Sequence, residues 1–409
     1  MSLVTLYLVH HPKCDAASRL SREMFDWFRL SFLSGAQSGA GIPVYFRREI
    51  EGYRITPSID YRGANLNVIV LLVDEQIVFD PAWRAAVVTL TEEAQKAGKG
   101  GKTDTLILPI ALHDSFYRMG PIYDGFNSIR LLSIVKEEPQ SFLNAVASLR
   151  RNITESMARN IRNIGGKSAP PLKIFLSHAK RDGREVAEAI RDDIRSIGQF
   201  EAWYDANDLP YGKEWDKPMR AAVSEDTAAM IAVRTDAYPS RPWCRREASL
   251  ARSPLQIGKT RVWRIQPTVA VDLPGRSWSG SIPMLAGVPR IGWDPTRPKE
   301  TTESVVDRLV LEVLIGLVHR DVATKIIGSQ KMRQTSLNIN KTNSCFVTWV
   351  PDVWTLACVR SDLKAAASKI EYIVFPGYGL TGMEKEELRP VLDSFQMKTQ
   401  LISFEEVMS

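Results

Sequence analysis

The sequence predicts an α/β protein: two tandem parallel-sheet domains and a small C-terminal α/β unit. Three observations predict it. Short apolar runs alternate with amphipathic helical stretches throughout the chain, the signature of parallel sheets with crossover helices. The order of those elements in residues 1–151 recurs in residues 171–330. The 409 residues also exceed the ~250–300 that one hydrophobic core organises.

In the first domain, the run Leu6–His10 reads as a strand and leads to a helix over Ser18–Leu30. Further strands are predicted at Ile42–Phe46, Val68–Val73, Thr105–Leu112 and Ser128–Leu132, with a closing helix near Ser141–Arg151. Residues 152–170 carry Gly165, Gly166 and Pro170 and read as a basic Gly/Pro linker. The middle domain, 171–330, predicts strands Leu172–His178, Phe200–Asp205, Ala228–Arg234, Thr260–Val271 and Val288–Ile291. Helices are predicted between them at Asp182–Ile197, Trp215–Ser224 and Arg241–Arg252. A last helix starts near Thr302, where a Thr cap and Glu303 in the first turn favour initiation.

Residues 335–409 predict strand Cys345–Val350, helix Trp354–Ala367, strand Glu371–Phe375, helix Glu384–Phe395 and strand Gln400–Phe404. A unit this small buries little core alone and is expected to pack on a neighbour.

Composition excludes several classes. The hydrophobic share of 44% and charged share of 24% rule out a disordered or collagen-like chain. The formal net charge is +6, and half of it comes from Arg151, Arg159, Arg162 and Lys167 against Glu155. No aromatics are interleaved with those cations, so nucleic acid is not an expected partner. Cys14, Cys244, Cys345 and Cys358 have no metal-ligand or disulfide spacing, so no metal is expected. No segment reads as a signal peptide or a membrane span, and the expected location is the cytoplasm.

Three stretches of the middle domain carry chemistry. Phe175-Leu176-Ser177-His178 ends a buried strand and enters a turn with Lys180, at the carboxyl end of the sheet where ligands bind in such folds. Trp203-Tyr204-Asp205 ends the next strand and opens a loop containing Asp208-Leu209-Pro210-Tyr211-Gly212. Trp243-Cys244-Arg245-Arg246-Glu247 starts a helix; the spacing of Trp243 and Glu247 predicts that both point from one face.

Together these resemble the Toll/interleukin receptor (TIR) domain family over about residues 171–320, which implies TIR-like, flavodoxin-like domains. The Phe-Leu-Ser-His stretch is similar to that family's first box, Asp208–Gly212 to its BB loop, and Trp-Cys-x-x-Glu to the helix carrying the glutamate of its NAD-cleaving branch. The resemblance implies an NAD+ nucleosidase with Glu247 as the catalytic residue. It places Phe175, Ser177, Lys180, Trp203, Asp205 and Trp243 around the substrate. Asp208, Leu209, Pro210, Tyr211 and Gly212 would mediate the self-assembly that activates the enzyme. NAD+ enters as substrate and no cofactor is expected. A fixed carboxylate suits the reaction, because cleavage of the nicotinamide–ribose bond builds positive charge on the sugar. The implied products are ADP-ribose or its cyclic form, and the implied setting is immune or anti-phage defence. Family members that only associate leave a second reading open, a non-enzymatic adaptor.

The first domain reads as a degenerate copy. Its Trp83 aligns with Trp243 and puts Val87 where Glu247 stands, so it is expected to be non-catalytic. In the C-terminal unit, Gly377-Tyr378-Gly379-Leu380-Thr381-Gly382 forms a GxGxxG between strand and helix. It predicts nucleotide binding at Gly377, Gly379 and Gly382, and a further reading of the chain as a nucleotide sensor. A partner protein or a nucleotide signal is the expected activator.

Overall fold

The computed structural model describes residues 2–29, 41–52, 54–56, 58–98, 103–120, 126–132, 139–163, 171–197, 200–204, 228–275, 282–328, 339–340, 342–363, 367, 369–377, 380–395, 397 and 399–408. The fold is α/β, with most of its strands in parallel sheets. The chain divides into two compact units, Met1–Ser168 and Ala169–Ser409.

The first unit holds strands β1 (Ser2–His10), β2 (Val44–Arg47), β3 (Glu49–Glu51), β4 (Arg54–Thr56), β5 (Ala64–Val73), β6 (Asp104–Ala111) and β7 (Ile129–Arg130). Five of them form a parallel sheet in the order β2-β1-β5-β6-β7, and β3 pairs with β4 as a separate antiparallel ribbon. Helices α1 (Asp15–Arg29), α2 (Glu75–Phe79), α3 (Pro81–Gly98) and α4 (Pro139–Asn163) complete the unit. Central strands buried on both sides read as continuous apolar runs, as in Val68-Ile69-Val70-Leu71-Leu72-Val73. On the α3 side, Tyr7, Val9, Ile69 and Leu71 pack against Trp83, Ala86, Val87 and Leu90.

The expected linker is shorter than its sequence suggested. Helix α4 continues through Arg151 to Asn163 because Leu149, Ile153, Met157 and Ile161 extend one buried stripe, leaving the basic residue Arg159 outside to pair with Glu155. Residues 164–170 lie outside the described residues.

The second unit starts with β8 (Leu172–His178), α5 (Arg184–Ile197), β9 (Phe200–Tyr204), β10 (Ala228–Arg234), α6 (Pro242–Arg252), β11 (Leu255–Gln256), β12 (Val262–Arg264), β13 (Thr268–Asp272), β14 (Arg290–Gly292) and α7 (Pro298–Gly328). It ends with β15 (Ser344–Val347), α8 (Val353–Leu363), β16 (Tyr372–Phe375), α9 (Gly382–Ser394), β17 (Gln400–Ser403) and α10 (Phe404–Met408). One parallel sheet has the order β14-β13-β10-β8-β9, the same strand order as in the first unit. The expected helix Trp215–Ser224 falls outside the described residues.

The run Thr260–Val271, expected as one strand, is two strands in different sheets. Gln266-Pro267 interrupts it: β13 joins the β10 sheet, while β11 and β12 join β15, β16 and β17. The C-terminal residues therefore build their sheet on strands from the middle of the chain. Helix α7 serves both sheets, packing on β10, β13 and β14 and, further along, on β12. It is apolar on more than one face, as a helix buried on two sides must be. No helix among the described residues is long and apolar enough to cross a membrane.

Candidate functional site

Strand alternation decides what β8 offers to α6. Phe175, Ser177 and the following Ala179 share one face, and Phe175 and Ala179 pack in a cluster with Cys244, Ala248 and Ala251 of α6. On α6 the inward residues are Cys244, Glu247, Ala248 and Ala251, spaced three and four apart as one helix face requires. Glu247 thus takes a place in an otherwise small, apolar stripe. It is 2% exposed, whereas its neighbours Arg245 and Arg246 face solvent.

The Ser177 hydroxyl donates to the Glu247 carboxylate. The Tyr238 hydroxyl lies 2.6 Å from Ser177 Oγ. With the serine proton committed to the carboxylate, the tyrosine must be the donor, which gives a directed chain Tyr238→Ser177→Glu247. Burial, and then the negative charge of Glu247, push the Tyr238 phenol well above its ordinary range, so it keeps its proton. Tyr238 begins a short 3₁₀ turn, Tyr238–Ser240, and Pro242 then takes the first position of α6, where its missing N–H costs no hydrogen bond.

The surrounding turns are tied to one another. Asp182 accepts from Thr235 Oγ1 at 2.6 Å and from the Ala237 N–H at 2.9 Å, linking the turn after β8 to the segment that carries Tyr238. Gly183 fits closely there: a Cβ would stand 3.2 Å from the Ala179 carbonyl oxygen and 3.3 Å from Thr235 Cγ2, so a larger residue would need its neighbours to give by a few tenths of an ångström. At the same end of the sheet Arg234 pairs with Asp272 at 3.3 Å. Cys244 is a packed thiol whose Sγ donates to the His178 carbonyl at 3.4 Å.

Of the residues singled out from sequence, the structure brings Ser177 and Glu247 into contact and buries Phe175 beside them. Lys180 is exposed in the turn after β8. Trp203 is in register with Phe175 across β8 and β9. Asp205 and the loop residues Asp208, Leu209, Pro210, Tyr211 and Gly212 lie outside the described residues. Trp243 departs from expectation: it is 58% exposed and does not share the inward face of Glu247. The inward stripe is set by Cys244, Ala248 and Ala251, which puts the helix-start Trp243 outside. Tyr238 was missed. Its only signal in sequence is an aromatic immediately before Pro239 at the approach to the helix.

The Gly-rich turn departs as well. The Gly377 N–H donates to the Glu405 carboxylate at 3.1 Å, so a carboxylate already sits where a phosphate would. Gly382 opens α9, but Thr381 and Glu384 form a reciprocal capping box on that helix end. The strand order β12-β15-β16-β17 also runs without the reversal that opens a nucleotide crevice. Gly379 is outside the described residues. Among the described residues, no group of three or more His, Cys, Asp or Glu is placed to hold a metal.

Residues 174–281, which span Ser177, Tyr238 and Glu247, match the family model of the TIR domain. This part of the chain is a TIR domain. No curated protein matches the chain. Solved structures similar to it include the TIR domains of the activated Roq1 resistosome recognising the effector XopQ, at 16% identity and TM-score 0.21, covering 36% of this chain and 83% of that one. Another is the tagatose-6-phosphate ketose/aldose isomerase of Escherichia coli, at 14% identity and TM-score 0.23, covering 78% and 82%. Scores this low carry no argument about either fold or activity. In the first unit, Val9 holds the β1 register position that Ser177 holds on β8, and it packs with Val87 of α3 in one apolar cluster.

Proposed function

We propose that the TIR domain hydrolyses NAD+ at the nicotinamide–ribose bond, with Glu247 as the catalytic carboxylate. The observation that carries this reading is a lone buried carboxylate on the sheet-facing stripe of α6, oriented by a serine at the strand end. As the C–N bond breaks, its electrons go to the pyridinium ring and nicotinamide leaves neutral. Positive charge develops on the ribose, where a nearby carboxylate in a low-dielectric site stabilises it. No general acid is needed. Water completes the reaction to ADP-ribose, and attack from within the substrate gives the cyclic product.

Glu247 is closed to a dinucleotide at 2% exposure, so this reading requires the site to open. Self-association of TIR domains is the proposed trigger, and a partner protein or a small signal would drive it. The setting proposed is defence inside the cytoplasm. The test is nicotinamide release from NAD+ by protein at high concentration or under crowding, against Glu247→Gln.

The same burial favours a second reading. A glutamate satisfied by Ser177 and shut from solvent is also what a non-enzymatic scaffold could keep for stability. Assembled wild-type protein that leaves NAD+ intact would establish that reading.

A further inference from the structure

The first unit keeps the strand order of the TIR domain but loses its Ser–Glu pair, and a cation stands at the end of β2 instead. Setting Leu6 of β1 against Ile174 of β8 makes the parallel registers equivalent: Tyr45 on β2 falls where Trp203 falls on β9. Arg47 then ends β2, beside Val9.

Arg47 is 8% exposed. One terminal nitrogen donates to the Phe46 carbonyl at 2.9 Å, and the buried Nε has no hydrogen-bond partner. Its guanidinium carbon lies 5.1 Å from the Tyr7 ring centroid and 5.4 Å from that of Tyr45. Those two rings stack on each other at 5.6 Å. No described carboxylate pairs with Arg47. Glu49 and Glu51 are exposed, and Asp60 Oδ1 is engaged by the Arg62 N–H at 2.9 Å. The exposed Arg48 adds a second positive charge beside it.

A buried cation without a counter-ion is unfavourable, and two aromatic faces offset only part of that. Its place in the fold points the same way. Chain order reverses at β1, which has β2 on one side and β5 on the other, and ligands of open parallel sheets collect at the carboxyl ends of strands at such a point. Arg47 is at that end of the sheet, on the neighbouring strand β2 beside Val9 of β1.

We propose that the first unit binds a phosphate-bearing aromatic small molecule of mononucleotide kind, with Arg47 taking the phosphate and the half-exposed Tyr45 ring taking the base. The planar guanidinium suits the bidentate geometry of a phosphate, and a tyrosine face accepts any base by stacking. The site binds without reacting, because Val9 and Val87 supply no carboxylate or hydroxyl.

Isothermal titration calorimetry of the full chain with AMP, adenosine and inorganic phosphate tests this. AMP should bind saturably, adenosine at least ten-fold more weakly. Arg47→Met should weaken AMP and inorganic phosphate at least ten-fold, and Tyr45→Ala should weaken AMP several-fold. Absence of saturable AMP and phosphate binding to the wild type would overturn the proposal, as would an Arg47→Met variant that binds AMP as the wild type does. If Arg47→Met does not fold, Arg47→Lys keeps the charge without the fork. Weaker AMP binding by a normally melting Arg47→Lys supports the site, and unchanged binding overturns it.

Discussion

Ser177 at the end of β8 donates a hydrogen bond to Glu247 on α6, 70 positions later, and in the first unit Val9 of β1 and Val87 of α3 meet as hydrocarbon. One strand order thus occurs in two sheets of the chain, with a polar pair beside one and an apolar pair beside the other. The polar version has to be maintained by its donors, and that makes it testable.

Ser177→Ala removes the donor and leaves a buried carboxylate one hydrogen bond short, a loss of about 1–3 kcal/mol. Tyr238→Phe keeps the ring and removes only the hydroxyl behind Ser177, for about 1 kcal/mol. Because both act through one chain, the double variant should be destabilised by less than the sum of the singles. Urea unfolding of the three variants measures this; strict additivity would mean that the two hydroxyls do not communicate.

Val87→Glu puts into the first unit the charge that Glu247 provides in the second, but Val9 cannot donate to it. An unpaired buried carboxylate costs several kcal/mol, so this variant should lose the fold of the first unit. Glu247→Gln keeps an acceptor for Ser177 and should melt close to wild type. Circular dichroism and limited proteolysis distinguish the two.

The C-terminal end of α6 is anchored by Arg252, whose side chain is 8% exposed and pairs with Asp352 at 3.0 Å. Asp352 also caps α8 by accepting from the Thr355 N–H at 2.8 Å. Asp352→Ala strands the buried guanidinium. Loss of a fully buried partner costs about 3–5 kcal/mol, and somewhat less here because Asp352 is 36% exposed. Arg252→Met removes the charge while filling the space, and should be the milder change in thermal melting.

Stability should fall with acid through His319. Burial lowers its pKa from 6.5 to about 4, with the Thr348 carbonyl 3.1 Å from Nδ1. Above pH 6.5 the imidazole is neutral in both folded and unfolded chains. Between 6.5 and 4 the unfolded chain binds a proton that the folded chain refuses, so stability declines over that window by on the order of 3 kcal/mol. His319→Gln should remove that part of the decline. Denaturant midpoints at pH 7 and pH 4.5 compare the two proteins.

Much of this was readable from the residues. Alternating short apolar runs and amphipathic stretches identify parallel sheets because each strand must be apolar on both sides and each crossover on one. Glu247 was legible through Trp-Cys-x-x-Glu. Tyr238 was not, since its reach to Ser177 exists only once the turn after β10 folds back under α6. Gly165, Gly166 and Pro170 drew the linker too long, although Ile153, Met157 and Ile161 keep helical spacing beyond Arg151. Strands β12 and β13 were merged because periodicity reports burial and is silent on which sheet a strand joins.

Nicotinamide release from NAD+ by the assembled wild-type protein, beside a normally folded Glu247→Gln variant, bears most directly on the proposed reaction. The account predicts release by the wild type and a loss of at least a hundred-fold in the variant, roughly what removing one transition-state charge contact costs. Equal release by the two proteins, or none from an assembled wild type, would contradict it.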